Sequence, residues 1–233
     1  MRVITNNKLI KKNIKIGKIT TFSALGILLA GLIVTYIRKD QLIWSLIALA
    51  VGFIVSQVGM YYGSRWGRSP RPDEAISAAL KGLDDKYTLY NYTSPVSHLL
   101  TGPAGLIPLI PLYSPGSISY NPEKQRYQQK GGKFIRRLSG MDSLGKPDMD
   151  ALSDATAIKK LLDRQLGKDN YLDPTPLLVF VNPEATVDLS GAPVPGIKAD
   201  KLKDYIRKLS KSQPAPLEDI QKVTNLFVAE DIN

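Results

Sequence analysis

Two long uncharged stretches dominate the hydrophobic pattern in the first third of the chain. Residues 19–37 and 42–62 contain 19 and 21 residues, respectively, and no charged side chain. In a helix that rises 1.5 Å per residue, each stretch matches a bilayer hydrocarbon core about 30 Å thick. Because only four residues separate the stretches, the pattern predicts a transmembrane helical hairpin over residues 19–63.

After residue 71 the pattern changes to shorter amphipathic segments. A helix is predicted to begin at Pro72, because proline favours the first helical position and acidic residues suit the positive end of the helix dipole. Its apolar residues then recur at helical spacing, at positions 76, 79, 80 and 83. The sequence therefore predicts that a separate domain, residues 72–233, begins with a helix.

Strands and further helices follow in this predicted domain. Alternating or apolar runs predict strands at residues 87–92, 98–101, 117–120, 125–129 and 177–181. Residues 106–112 are apolar enough for another strand, but Pro108 and Pro111 each remove a ladder donor and disfavour a regular central strand. A helix with one apolar face is predicted to end at Gly167, and two more helices are predicted at 198–209 and 217–229. The predicted apolar face of the first of these comprises Leu152, Ala155, Ile158, Leu162 and Leu166. This order predicts an α/β (α+β) domain.

The charge distribution predicts the orientation of the hairpin. The chain has a net charge of +10 and a pI of about 9.6, but residues 72–233 hold 20 basic and 20 acidic residues. The excess lies in a basic N-terminal segment (residues 1–18) and a juxtamembrane linker (64–71), which together carry nine Lys or Arg, against two in the turn. The positive-inside rule then predicts a multi-pass plasma-membrane protein with both termini in the cytoplasm.

Several residues in and beside the hairpin are predicted to make specific contacts. Arg65, Trp66 and Arg68 are expected at the membrane interface, where tryptophan and arginine meet the lipid headgroups. Gln57 is the only strongly polar side chain in the two stretches, and we expect it to form a local hydrogen bond.

Small residues recur four positions apart on both predicted helices. The first helix carries Gly26 and Ala30, and the second carries Ala48, Gly52 and Ser56. Small side chains allow helix backbones to approach closely in a membrane. The pattern predicts close packing within the hairpin or, alternatively, a homo-oligomer through Ala48, Gly52 and Ser56.

Three segments of the predicted domain resemble the nuclease-related domain (NERD) family. They are RPDE at residues 71–74, LKGL at 80–83, and HLLTGP at 98–103 with Gly105 and Leu106. The resemblance covers roughly residues 70–181. It implies a PD-(D/E)XK, restriction-endonuclease-like fold, in which a mixed sheet is flanked by helices.

The resemblance also implies where catalytic residues belong, and most of them are missing. The family's glutamate of the first helix falls on Glu74, and its aspartate before the second strand falls on Ser97. Its acid and lysine at the end of the third strand fall on Ile110 and Leu112. Metal-dependent phosphodiester hydrolysis needs carboxylate ligands and a supporting cation, so the resemblance implies a degenerate site with no metal or other cofactor.

For the remaining residues with catalytic potential, the sequence favours structural roles. The chain has no cysteine, which excludes thiolate chemistry and disulfides. His98 is the only histidine, and no acid or nucleophile is fixed beside it in the sequence. Glu74 also suits the helix dipole without any metal, and the segment 128–130 (QQK) lies one strand too late for the family's catalytic pair.

One basic segment is a candidate contact surface. Residues 124–137 contain six basic side chains and no acid: Lys124, Arg126, Lys130, Lys133, Arg136 and Arg137. Three interpretations of such a segment are open: a solvent-exposed surface without a partner, a contact for nucleic-acid phosphates, or a contact for anionic lipid. Residues 198–211 form a second, less purely basic region.

The sequence thus supports three hypotheses about function. The favoured one is a non-catalytic interaction module that binds a protein or nucleic acid at the cytoplasmic membrane face. The second is a residual metal-dependent nuclease that acts on DNA or RNA through Glu74 and Lys130. The third is a structural membrane-assembly protein in which the hairpin matters most.

Overall fold

The computed structural model describes residues 1–37, 40, 42–131, 144–167 and 171–230. The chain forms two compact units. One consists of Met1–Thr5 together with Pro72–Asn233, and the other is Asn6–Arg71. We refer to them as the domain and the hairpin.

The hairpin consists of two helices, α1 (Asn7–Ile37) and α2 (Leu42–Trp66). By length and composition, both are long and apolar enough to cross a membrane. Helix α1 starts twelve residues before the uncharged stretch predicted from residue 19, because the lysine-rich segment before it is also helical. Lysine is a good helix former, and the Asn6 side chain caps the helix by accepting a hydrogen bond from the Leu9 amide at 2.9 Å.

The two helices pack through residues spaced seven apart. The buried positions are Ile10, Gly17, Ala24 and Gly31 on α1, and Ser45, Gly52, Gly59 and Trp66 on α2. A methyl group added to Gly59 would lie 2.7 Å from the Thr21 hydroxyl, and one added to Gly52 would lie 2.7 Å from Leu28. This seven-residue repeat of mostly small side chains brings the backbones close, as in a left-handed helix pair.

Of the three residues predicted to form a homo-oligomer interface, two pack within the hairpin and the third forms a hydrogen bond within α2. A methyl group added to Gly31 of α1 would lie 2.9 Å from the Cβ atom of Ala48. Gly52 likewise lies against Leu28 of α1. Both therefore serve packing within the hairpin. Ser56 donates its hydroxyl to the Phe53 carbonyl at 2.7 Å. Gly26 is exposed, and a methyl group added to it would have no neighbour within 4 Å among the described residues.

The domain contains nine described strands in two sheets. Their bounds are β1 (Arg2–Thr5), β2 (Thr88–Asn91), β3 (His98–Gly102), β4 (Gly105–Leu112), β5 (Gly116–Asn121), β6 (Arg126–Lys130), β7 (Leu177–Phe180), β8 (Ala185–Asp188) and β9 (Gly196–Lys198). The larger sheet has the order β1-β2-β3-β4-β7-β9, and the smaller has the order β6-β5-β8. The pairs β1–β2, β4–β7, β7–β9 and β5–β8 are parallel, and the other pairs are antiparallel. Both sheets are therefore mixed.

Four described helices accompany these sheets: α3 (Pro72–Ala79), α4 (Pro147–Leu166), α5 (Ala199–Ser212) and α6 (Leu217–Glu230). Helices α3 and α5 cover one face of the larger sheet, where Leu89, Leu100 and Ile107 lie. Helices α4 and α6 cover Tyr90, Leu99 and Leu106 on the other face. The predicted mixed α/β domain, a mixed sheet flanked by helices, is confirmed.

Strand β1 is the main departure from the sequence analysis, which kept residues 1–18 as one segment before the hairpin. Arg2–Thr5 instead pairs in parallel with β2, from Arg2 opposite Thr88 to Thr5 opposite Asn91. Four residues are too few to show a strand pattern, and the partner strand lies more than 80 positions away. Only the tertiary pairing reveals that the domain begins before the hairpin.

Strand β4 is regular despite Pro108 and Pro111, so the expectation of a disrupted strand is wrong. The carbonyls of Leu106 and Leu112 accept hydrogen bonds from the Thr175 and Val181 amides, on the side of β7. The backbone N–H and C=O groups of the even-numbered residues of β4 therefore point towards β7, and those of the odd-numbered residues point towards β3. Pro108 faces β7 just before the ladder begins at Leu109 opposite Leu177. Pro111 faces the β3 side beyond the start of that strand. Pro111 thus lies where no ladder donor is required, and Pro108 removes only one donor, next to the first residue pair of the β4–β7 ladder.

Candidate functional site

Three of the four positions that the resemblance assigns to catalysis, Ser97, Ile110 and Leu112, lie at one end of the larger sheet. Ser97 immediately precedes β3, and Ile110 and Leu112 lie at the end of β4. The β3–β4 register places Leu99 opposite Pro108. Continued by two residues, it places Ser97 opposite Ile110. These positions are therefore neighbours across the strand pair.

The side chains of Ile110 and Leu112 belong to the apolar core. They are 7% and 8% exposed and pack in one cluster with Ile118, Leu178 and Phe180. Their surroundings are thus hydrocarbon, with neither a carboxylate ligand nor a cation at either position. This end of β4 is therefore packing surface between the two sheets.

Glu74 is not brought together with these residues. Helix α3 packs through Ile76 and Leu80 on the opposite face of the larger sheet, while the Glu74 side chain is exposed. Among the residues that the structure describes, no three of His, Cys, Asp and Glu are grouped so that they could hold a metal ion. The described part of this end of the sheet therefore offers no carboxylate cage.

Asp73, rather than Glu74, is the buried acid of α3. It is 4% exposed and shares a helix face with Ile76 and Leu80, three and seven residues further on. Glu74 was the predicted site residue because the resemblance points to it. Helical spacing alone would have indicated Asp73, since residues at i, i+3 and i+7 lie on the same face.

The same end of the sheet contains a buried polar pair, Asn91 and His98. Each is 1% exposed, and they are directly opposite in the β2–β3 register. The His98 Nδ1 and Asn91 Oδ1 atoms are 2.9 Å apart. Because a side-chain amide oxygen only accepts, the imidazole donates its Nδ1 hydrogen in this contact. The Tyr92 ring stands edge-on to His98, with 5.0 Å between centroids.

Asn91 also connects the pair to two further elements. Its Nδ2 lies 3.3 Å from the Thr5 hydroxyl on β1 and 3.4 Å from the Ser77 hydroxyl on α3. One amide thus joins β1, β2, β3 and α3, which explains in structural terms why the chain's only histidine is buried. The expected structural role of His98 agrees with this network.

Replacing Asn91 with alanine should destabilise the domain by about 1–3 kcal/mol, because the buried His98 donor loses its acceptor. The matched control is Asn121→Ala, which removes an amide that accepts one turn hydrogen bond, from Lys124, at the surface. Urea unfolding followed by far-ultraviolet circular dichroism compares the two variants. Equal losses for both would show that the buried network contributes nothing beyond a turn contact.

Strand β6 carries the described part of the basic segment. Lys124, Arg126 and Lys130 are exposed, whereas Lys133, Arg136 and Arg137 lie outside the described residues. Gln129 has a structural task, because its Nε2 donates to the Pro115 carbonyl at 3.0 Å and its Oε1 accepts from the Leu144 amide at 3.3 Å. Gln129 therefore anchors β6.

A groove of about 640 Å³ lies between β6 and the first turn of α4. Among the residues that the structure describes, Arg126, Lys130 and Lys146 line it together with one acid, Asp148. Below them, the Tyr127 hydroxyl donates to the Val194 carbonyl at 3.1 Å. Burial raises the pKa of the Tyr127 hydroxyl above its ordinary value, so this side chain is a neutral hydrogen-bonding group.

At the end of α2, the predicted interface residues differ in exposure. The Arg65 guanidinium lies 6.0 Å from the centroid of the Trp66 ring, a cation–π distance. Arg65 is exposed and Arg68 is half-buried, whereas Trp66 is buried. The structure therefore presents the arginines, more than the tryptophan, on the surface of this segment.

Comparisons with known proteins add no relative: no protein-family model matches the chain, and no curated protein or solved structure is significantly similar to it.

Proposed function

We propose that the protein is a membrane-anchored, non-catalytic interaction module whose domain has a degenerate nuclease-related, restriction-endonuclease-like core. In this proposal the hairpin crosses the plasma membrane twice, both termini are cytoplasmic, and the domain binds a polyanionic partner, nucleic acid, at the cytoplasmic face of the membrane.

The pairing of β1 with β2 is the observation that carries the membrane topology. The chain leaves the domain after Thr5 and re-enters it at Pro72. Since both connections belong to one folded domain, the intervening segment must cross the bilayer an even number of times. Two helices of membrane-spanning length meet this requirement, and the nine basic residues outside the turn favour a cytoplasmic domain.

The order of elements supports the proposed core. Helix α3 is followed by the antiparallel strands β2, β3 and β4, then by the antiparallel pair β5–β6, by α4 and by β7, which is parallel to β4. Residues 70–181, over which the sequence resembles the nuclease-related domain, cover this series.

The burial of Ile110 and Leu112 argues for binding without hydrolysis. Both positions are filled by hydrocarbon that the core uses for packing. The alternative nuclease site requires Glu74 and Lys130 to meet. Glu74 is on α3, which packs on one face of the larger sheet, whereas β6 joins the apolar cluster on the other. The non-catalytic hypothesis is therefore better supported than the residual nuclease.

The basic side chains of β6 and the neighbouring groove support binding of phosphates. Arg126, Lys130 and Lys146 present three cations along one surface, although the charge of the domain as a whole is balanced. Phosphate contacts by such side chains release counterions, which makes binding strongly dependent on salt.

The double variant Arg126→Gln/Lys130→Gln should weaken nucleic-acid binding and flatten its salt dependence. Each lost phosphate contact reduces the slope of log K against log salt by about 0.7–0.9, so the double variant should lose about 1.4–1.8. The measurement is fluorescence anisotropy of labelled DNA and RNA with the full chain in nanodiscs of neutral lipid.

The matched control is Lys159→Gln/Lys222→Gln, which removes the same charge from α4 and α6, where both lysines form ion pairs. Its slope should stay near that of the parent protein. Absence of binding at low salt, or equal slopes for the two double variants, would remove nucleic acid as the partner of β6. Binding of anionic but not neutral vesicles would assign the surface to lipid instead.

A further inference from the structure

Gln57 points away from the other helix of its own hairpin. The positions of α2 that are buried against α1 include Gly52 and Gly59. At about 100° per residue, Gln57 lies about 140° from Gly52 and about 160° from Gly59 around the helix. Its side chain is exposed, and within the described part of the chain its amide has no hydrogen-bond partner. The expected local hydrogen bond of Gln57 is absent.

An amide at this depth needs a partner if α2 spans a membrane. Gln57 lies five residues before Tyr62, the end of the uncharged stretch, which is about 7–8 Å inside the hydrocarbon boundary. An amide without a hydrogen bond in hydrocarbon is strongly unfavourable, because no water is available there. The exposed amide therefore marks a face of α2 that another polar group must cover.

The residues around Gln57 form a second seven-residue repeat. Ala50, Gln57 and Ser64 are spaced seven apart, and the exposed side chains of Phe53 and Ile54 lie between the first two. Helix α2 thus has one such repeat covered by α1 and another that no described element of the hairpin covers. A single polar residue in an apolar repeat of this kind sets the register and the number of helices that associate.

We propose that this uncovered face is a homodimer interface, in which α2 packs against α2 of a second copy across a twofold axis along the membrane normal. The two Gln57 amides exchange hydrogen bonds across that axis. This inference rests on the proposed function only in requiring that the hairpin spans the membrane.

Two properties of Gln57 select a second copy as the partner. All copies insert with the same orientation, so the identical residue of a second chain lies at the same depth without any further requirement. A side-chain amide is both donor and acceptor, so two copies satisfy each other in a symmetric, closed pair. The small side chains of Ala50 and Ser64, one repeat to either side, allow the helices to approach closely.

Cysteine cross-linking of the full chain in native membranes tests the interface, since the sequence contains no other cysteine. Ala50→Cys should give dimers with a short bismaleimide reagent. The control Phe22→Cys places an equally accessible thiol on the outer face of α1 and should give few. Adding Gln57→Leu to Ala50→Cys should weaken dimerisation roughly five- to thirty-fold, whereas Gln57→Asn should retain most of it.

The outcomes separate this inference from the proposed function. Resistance of the chain to alkaline carbonate extraction tests membrane insertion by itself, and extraction would overturn both. If the chain is inserted, three results overturn the dimer alone: no Ala50→Cys cross-link, a cross-link that Gln57→Leu leaves unchanged, or a product that contains only a different protein. A dimer that forms through position 50 and depends on Gln57 supports it.

Discussion

Replacing Ile110 with glutamate and Leu112 with lysine is expected to destabilise the domain strongly rather than create a nuclease. These substitutions introduce the acid and the lysine that the nuclease-related family would have at these two positions. Both positions, however, are more than nine-tenths buried among Ile118, Leu178 and Phe180. Burying charged groups there without partners should cost about 3 kcal/mol or more, which lowers the melting temperature of a domain of this size by about 6–12 °C.

The matched control for this prediction is Ile110→Val, which keeps the position apolar and should cost only about 0.5–1.5 kcal/mol. Pulse proteolysis of the full chain in detergent measures stability, and a plasmid-nicking assay with magnesium or manganese measures activity. A charged double variant that stays as stable as the control and cleaves DNA would show that this end of the sheet has kept a catalytic geometry.

Removing β1 is expected to have the second large effect. We compare a chain that starts at Pro72 with one in which a flexible Gly/Ser linker replaces residues 6–71 and keeps Met1–Thr5. The first should be less stable by about 2–4 kcal/mol, because it loses the backbone pairing with β2 and the half-buried Ile4 side chain. It also exposes the edge of β2, which should promote aggregation.

Urea unfolding and light scattering of the two soluble proteins measure these effects. Within the linked protein, Ile4→Asp should reproduce most of the loss, because Ile4 packs on an apolar cluster. Val3→Asp is the matched control, since Val3 is largely exposed on the same strand. Equal stability and solubility of the chain that starts at Pro72 would mean that β1 does not belong to the cooperative fold.

Several elements were predictable from the sequence because their signals are local. The uncharged stretches, the helix that begins at Pro72, the hairpin β5–β6 and the buried strand β7 each follow from composition or spacing over a few residues. The predicted apolar face of α4 was partly wrong. Leu152 is exposed and Ala151 is buried instead, because the packing of the two sheets selects the buried face among several apolar residues.

The candidate surfaces were predictable to different degrees. The basic segment was visible as a run of charge, whereas the interpretation of Ser97, Ile110 and Leu112 as replaced catalytic positions, two acids and a lysine, came only from the resemblance. The buried Asn91–His98 pair was not identified, since its significance depends on neighbours from β1 and α3. The buried Asp73 could have been identified from helical spacing, but the resemblance pointed to Glu74 instead. The groove beside β6 likewise needs α4, which is distant in the sequence.

By itself, the sequence determined that the chain has two long apolar helices and a mixed α/β domain in which basic and acidic residues are equal in number. Charge, composition and short-range periodicity carry that information, because each is a property of neighbouring residues. Only the tertiary structure decided that residues 2–5 complete the domain's sheet, that Ile110 and Leu112 are core, and that Gln57 faces outward. Those facts depend on contacts between distant segments, and no local pattern encodes which face or edge such a contact will cover.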